Sequence, residues 1–146
     1  MKKIIVASFA VVMLIVACKK SENVNTGNLT LTTNNLAGKY KVTAATATLT
    51  GTSLTGNIYD TAFKPCQKAA FHTFSGAGIY TYSDMCDTVP YTNSNAYTIV
   101  EPDQLNYGGK RYKVASLTST QLIVGYDSII PVYGSTNFKL TLTRQP

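Results

Sequence analysis

The sequence predicts an all-β domain, an eight-stranded antiparallel up-and-down barrel stapled by one disulfide, over residues 36 to 146. Three observations carry this reading. From Leu36 onward apolar residues recur with a period of two, the spacing that puts one face of a strand in a core and the other in water. Thr and Tyr, which suit a pleated and half-buried surface, are abundant. Glycine- and proline-containing turns separate the apolar runs at hairpin distances, and no segment carries a convincing amphipathic helical stripe.

The first strand, 38–49, opens with Lys39-Tyr40-Lys41-Val42-Thr43-Ala44, an unbroken alternation that points Tyr40, Val42 and Ala44 inward. A short helical turn is expected near Asp60 to Lys64. Strands at 68–74 and 79–83 flank Ser75-Gly76-Ala77-Gly78, a hairpin turn of the kind glycine permits. The strand at 95–100 turns at Glu101-Pro102-Asp103 into 104–107, which carries Leu105 and Tyr107. Gly108-Gly109 is a two-residue hairpin leading into 110–117, with Tyr112 and Val114 on one face. The last two strands are 120–127, with Leu122, Val124 and Tyr126, and 137–143, with Phe138, Leu140 and Leu142.

Joined as a meander, these strands distribute their connections unevenly. The turns 75–78, 101–103 and 118–119 fall at the end where the first strand begins, and all are tight. Three long connections, 50–67, 84–94 and 128–136, fall at the other end. The pattern is that of a barrel with a closed floor, where Tyr40 acts as a plug, and an elaborated mouth.

The amino terminus argues for export. Lys2 and Lys3 precede an apolar run from Ile4 to Ala17, interrupted by Ser8 alone, that is shorter than the roughly 18 residues of a membrane span. Residues 1–17 therefore read as a signal peptide. Lys19 to Asn35 is polar and lacks aromatic residues, so 18–35 reads as a flexible tether. In an oxidising compartment Cys66 and Cys86 read as a disulfide; a metal or redox pair fits poorly with their spacing and a single distant histidine. Folding at 75–78 brings the two cysteines to one height at the mouth.

Removing Lys2 and Lys3 lowers the formal charge from +6 to +4. The remaining basic residues form no run and nothing matches a nucleic-acid-binding motif, so no nucleic-acid partner is expected. Near the mouth Lys64, Lys68, Lys110 and Arg111 are offset by Asp60, Asp84, Asp87 and Asp127. At the floor Lys39, Lys41 and Arg144 outnumber Glu101 and Asp103, which suits a membrane-facing end.

Two resemblances sharpen this picture. Ile15-Val16-Ala17-Cys18 resembles the bacterial lipobox, which implies cleavage before Cys18, a diacylglycerol thioether on its sulfur and an acyl chain such as palmitate on its amine. That implies a chain anchored by Cys18 in the bacterial cell envelope, at the outer membrane. From Leu36 to Arg144 the sequence resembles the lipocalin-like domains of bacterial lipoproteins. Leu36-Ala37-Gly38-Lys39-Tyr40 looks like their G-x-W opening with Tyr40 in place of Trp, and Cys66, Phe74, Gly78, Tyr80 and Cys86 look like their cysteine-framed hairpin. The sequence has no Trp, and Ala69 stands where an acidic residue is common. The resemblance implies a monomeric barrel that binds a small, largely apolar molecule.

The candidate ligand-binding residues are Tyr59, Phe63, His72, Tyr82, Tyr91, Tyr97, Tyr126, Ile130 and Tyr133, placed inside the upper barrel or on the long mouth loops. His72, the single histidine, shares a face with Phe74 and points inward, but no nucleophile motif accompanies it, so no catalytic residue and no enzyme is expected. The acids are dispersed, so neither a metal nor a cofactor is expected. Two readings remain open, since a barrel of eight strands either holds one small ligand or fills with side chains. One is a lipid-anchored binder of an apolar or amphipathic molecule; the other is a filled barrel acting as an envelope interaction or structural module.

Overall fold

The computed structural model describes residues 27–130 and 134–146. The expectations placed on residues 1–17, on Cys18 and on Tyr133 lie outside those residues. The elements run in order α1 (Thr33–Leu36), β1 (Gly38–Leu49), β2 (Thr55–Asn57), α2 (Tyr59–Ala62), α3 (Pro65–Ala69), β3 (Phe71–Phe74), β4 (Ile79–Asp84), β5 (Tyr91–Ala96), β6 (Thr98–Val100), β7 (Gln104–Tyr107), β8 (Lys110–Leu117), β9 (Gln121–Ile130) and β10 (Gly134–Arg144).

Every strand pairing is antiparallel, and the order β5-β4-β3-β1-β10-β9-β8-β7-β6 begins and ends with strands that are consecutive in the chain. The wall closes through the chain itself at Tyr97, whose N–H donates to the Gly78 carbonyl at 2.8 Å. The result is a nearly closed all-β barrel with one disulfide, Cys66–Cys86, whose Cα atoms lie 4.9 Å apart. Gly108 and Gly109 turn with φ of 55° and 74°, the two positive values that a tight type I′ hairpin needs.

The strand count differs from eight because the sheet has ten strands among the described residues. The short β2 adds to the upper part of β1, and the strand expected at 95–100 is the second half of a longer run broken at Tyr97. Residues 91–94, expected as loop, and 95–96, expected to open the next strand, pair with β4 along their whole length. All six are exposed on both faces, so no apolar alternation marks them as a strand. The strand expected at 68–74 begins at Phe71, because Pro65 starts α3 and Gln67 Oε1 accepts the Lys64 N–H at 2.9 Å.

The three connections gather at the end where the sequence places them, but the one expected at 128–136 is mostly strand, since 128–130 belong to β9 and 134–136 to β10 and the two pair directly. Leu49 pairs with Thr136 and Thr136 with Ser128, while Asp84 pairs with Tyr91, all at the end opposite Gly38. The disulfide ties the first of these loops to the second.

The floor holds more of the chain than expected. Leu29 N–H donates to Leu117 O at 2.7 Å, the Ser116 hydroxyl donates to Asn28 Oδ1 at 2.6 Å, and Leu31 and Leu36 are buried. Residues 28–35, read from the sequence as tether, therefore include contacts with the barrel floor. Leucines spaced through a polar stretch supply the apolar contact that the composition of the whole stretch conceals. Above them Tyr40 is fully buried, its hydroxyl donating to Leu36 O at 2.9 Å and accepting from Arg144 Nη2 at 2.6 Å. Arg144 Nη2 also donates to Asn35 O at 2.6 Å, and the guanidinium stands 5.2 Å from the Tyr40 ring centroid. Arg144 is a lock inside the floor and not part of a basic outer surface.

Candidate functional site

The interior divides into a packed lower half and an open upper half. Phe74 is the hub of the lower half, with ring centroids of Tyr40, Tyr80, Tyr97 and Tyr107 at 5.1–5.9 Å. Leu105, Leu117, Leu122, Val124 and Leu142 fill the rest of it. Above this layer lies a cavity of about 360 Å³, within the size range of small-molecule sites. Val42, Phe63, His72, Tyr112, Phe138 and Leu140 are among the side chains that line it.

A β-bulge shapes one wall. The register of β1 against β10 shifts between Val42 and Ala44, so Val42 and Ala45 are buried and Ala44 is exposed. Unbroken alternation would have put Ala44 inside. The opposite wall is a run of aromatic rings. Tyr107 stacks on Tyr112 at 4.3 Å, Tyr126 meets Tyr112 edge-on at 5.4 Å, and Phe138 stacks on Tyr126 at 5.1 Å.

The roof is α2 with Ile58 and Phe63 on either side. Ile58 N–H donates to Ala45 O at 2.9 Å, the Tyr59 hydroxyl donates to Val42 O at 3.0 Å, and Asn57 Oδ1 accepts the Tyr59 N–H at 2.9 Å. Lys68 Nζ lies 2.6 Å from Asp60 and 4.8 Å over the Tyr59 ring. A helix of one turn has little stability of its own. These bonds and the neighbouring disulfide hold it over the barrel.

His72 is the polar feature of the wall. Its Nδ1 shares a hydrogen bond of 2.9 Å with the Tyr80 hydroxyl, and the Tyr82 ring meets it edge-on at 5.3 Å. Burial lowers its pKa to about 4, so it is a neutral imidazole at neutral pH. Burial also raises the pKa values of Tyr80, Tyr107 and Tyr112, which keeps their hydroxyls protonated. Among the described residues no carboxylate lines the cavity. The arrangement offers apolar contact, aromatic faces and hydrogen bonds.

Of the candidate residues, the structure brings Phe63, His72 and Tyr126 to the cavity, with Tyr59 against its roof. Tyr82 stands beside His72, its hydroxyl donating to Asp84 Oδ2 at 2.7 Å, and its pKa is pushed up to about 12 by burial and then by Asp84. It is not part of the lining. Tyr91 is 49% exposed on β5, and Ile130 lies at the end of β9 away from the lining. Tyr97 is a correction: its hydroxyl donates to Ser75 O at 2.7 Å, in the floor turn. The unforeseen strand at 91–96 carries residue 97 to the bottom, so a residue expected near the mouth closes the floor.

Lys110, Tyr80, Tyr107 and Tyr112 line the cavity without having been candidates for binding. Their alternation on β4, β7 and β8 marks the tyrosines as inward; what it does not reveal is which inward level is left unfilled. A hollow on the outside of β8 and β9 has a similar volume, about 360 Å³, but Arg111, Lys113, Asp127 and Lys139 make its lining charged and it lies outside the wall.

No protein-family model matches the chain, and no curated protein does. Among solved structures the chain is similar to odorant-binding proteins. Bovine odorant-binding protein in complex with undecanal is 12% identical, with a TM-score of 0.45 over 82% of this chain and 77% of that one. A further odorant-binding protein is 13% identical, with a TM-score of 0.47 over 81% and 77%. Odorant-binding protein from bovine nasal mucosa is 11% identical, with a TM-score of 0.43 over 82% and 77%. The description of the barrel rests on its own strand pairing and not on these likenesses.

Proposed function

We propose that this chain is a monomeric, non-enzymatic binding protein for a small apolar or amphipathic molecule, held in the bacterial envelope at the outer membrane by lipid on Cys18. One observation carries the binding part: an unfilled cavity of about 360 Å³ within an otherwise packed barrel, lined by aliphatic and aromatic side chains under a tethered roof. A filled barrel serving only as an interaction module gives no reason for leaving that level of the interior empty. His72 lacks the nucleophile and orienting group that a catalytic base requires, and its buried neutral state suits a hydrogen-bonding wall. The anchor is supported by the lipobox-like Ile15-Val16-Ala17-Cys18.

The test is binding of N-phenyl-1-naphthylamine, an uncharged apolar fluorophore, to the wild-type chain and to Leu140→Trp, which fills the cavity from β10. The wild-type chain should enhance the fluorescence and the variant should not, while cooperative unfolding of the variant shows that it is folded. A folded variant that binds the probe as well as the wild-type chain sinks the assignment of the cavity.

A further inference from the structure

The barrel wall has a side opening as well as a roofed mouth. β5 pairs on one edge only, with β4, and all six of its residues are exposed. Facing the lower end of this strand is the tip of the β7–β8 hairpin, and a hollow between them is lined by Ala96, Thr98, Tyr107, Gly109, Lys110 and Arg111. Tyr107 and Lys110 line both this opening and the interior cavity, so they stand where the two meet.

The charge at that junction has one sign. The mouth region balances four cations against four acids in the sequence, but none of those acids lines the cavity or the opening. Lys68 pairs with Asp60, Asp84 accepts from Tyr82 and from the Cys86 N–H, and Asp127 accepts from Asn137 Nδ2 at 3.0 Å. Lys110 has no ion pair among the described residues, and no carboxylate lines either the cavity or the opening. Its Nζ rests 4.6 Å over the Tyr126 ring, which fixes it at the junction. The same contact occupies an aromatic face that a cationic ligand would otherwise use. Around it the hydroxyls of Tyr107 and Tyr112 remain protonated, and Tyr107 donates to Tyr112.

We propose that the bound molecule is an amphiphile with an anionic head, its apolar body in the cavity and its head at the side opening against Lys110, with Arg111 on the outer rim. The assignment rests on the reading of the cavity as a ligand site. An anion there keeps part of its hydration through the opening, which avoids the penalty of full burial, and gains a charge-assisted contact. A cation at the same place meets Lys110 and Arg111 with no acid in the lining, the nearest one named, Asp127, lying with Arg111 in the hollow outside the wall.

The test uses three competitors with one alkyl chain: decanoate, methyl decanoate and decylammonium. Each displaces N-phenyl-1-naphthylamine from the full chain carrying Cys18→Ser, and the signal that persists in Leu140→Trp is subtracted. Decanoate should displace the probe at about tenfold lower concentration than decylammonium. Lys110→Met should abolish the preference for the anion: with both competitors measured in the same variant, decanoate should lose about tenfold relative to methyl decanoate, whatever the variant does to the probe itself. Lys110→Arg should retain most of the preference. Equal displacement by all three competitors, or a preference for decanoate untouched in Lys110→Met, overturns the head-group assignment while leaving the cavity standing. Failure of the wild-type chain to bind the uncharged probe removes the cavity reading, and the head-group assignment with it.

Discussion

His72 shows how one side chain ties stability to pH in this barrel. In the unfolded chain it titrates near 6.5, whereas in the folded chain burial keeps it neutral down to about 4. Above 6.5 both states are neutral and the group contributes nothing to the pH dependence. As pH falls from 6.5 toward 4 the unfolded chain takes up a proton that the folded chain refuses, so stability falls across that window. At 1.36 kcal/mol per pH unit the loss is roughly 3 kcal/mol. Denaturant unfolding from about pH 7 to about pH 4 should show this slope in the wild-type chain and a shallower one in His72→Gln, which does not titrate. Identical slopes would remove His72 as the cause. That His72 points inward was legible in its alternation with Phe71 and its shared face with Phe74. Its partner was not: Tyr80 meets it across the β3–β4 pair, and contact on that face depends on a register that composition does not state. Lys110 was legible only as one of four mouth cations, because which charged side chains reach the lining is a property of folded neighbours.

Elements with one wet and one dry face declared themselves, and elements without that asymmetry did not. β1, β8, β9 and β10 alternate because each separates core from solvent; the spans of β1 and β8 coincide with expectation, while β9 and β10 run three residues further into the segment expected as a mouth loop. β5, with Tyr91-Thr-Asn-Ser-Asn-Ala96 exposed throughout, has no dry face and gives no period to read. The bulge between Val42 and Ala44 is silent for a related reason, since one extra residue on a strand shifts the phase without altering the composition. The cysteines were legible through chemistry rather than pattern, and the bridge they form supports a loop element. Its span of 20 residues includes β3 and β4 and reaches from α3 to the 84–90 connection. The chain-entropy model assigns such a closure about 3 kcal/mol. The double variant Cys66→Ala/Cys86→Ala should lose about that much in denaturant unfolding, and its probe affinity should fall as the α2 roof loosens. A loss well under 1 kcal/mol, with affinity unchanged, would show that the roof is held by its hydrogen bonds to β1 alone.

At the scale of the molecule, the floor and the chain entry share one end, and this decides which way an anchored barrel faces. Asn28 accepts from Ser116 and Leu29 donates to Leu117, both at the foot of β8, so Asn28 and Leu29 sit at the floor. The opposite end carries Met85 at 66%, Val89 at 71% and Ile129 at 80% exposure, an apolar fringe beside the roof. If lipid on Cys18 holds the chain to a membrane, Cys18→Ala should leave the detergent phase, and retention there would end the anchor reading. Given the anchor, the floor should face the bilayer and the fringe should face away from it. A fluorophore on Ile129→Cys in lipidated protein bound to vesicles should be quenched by aqueous iodide and spared by nitroxide-labelled lipid. One on Asp103→Cys, in the floor turn between β6 and β7, should show the reverse order. The same order at both sites would mean that the barrel tumbles freely on its anchor, and a swapped order would put the apolar fringe on the lipid. A fringe facing away leaves the roof and side opening to the aqueous phase, where an anionic amphiphile would be delivered rather than drawn from the anchoring leaflet. The swapped order would favour extraction from the membrane by the same cavity.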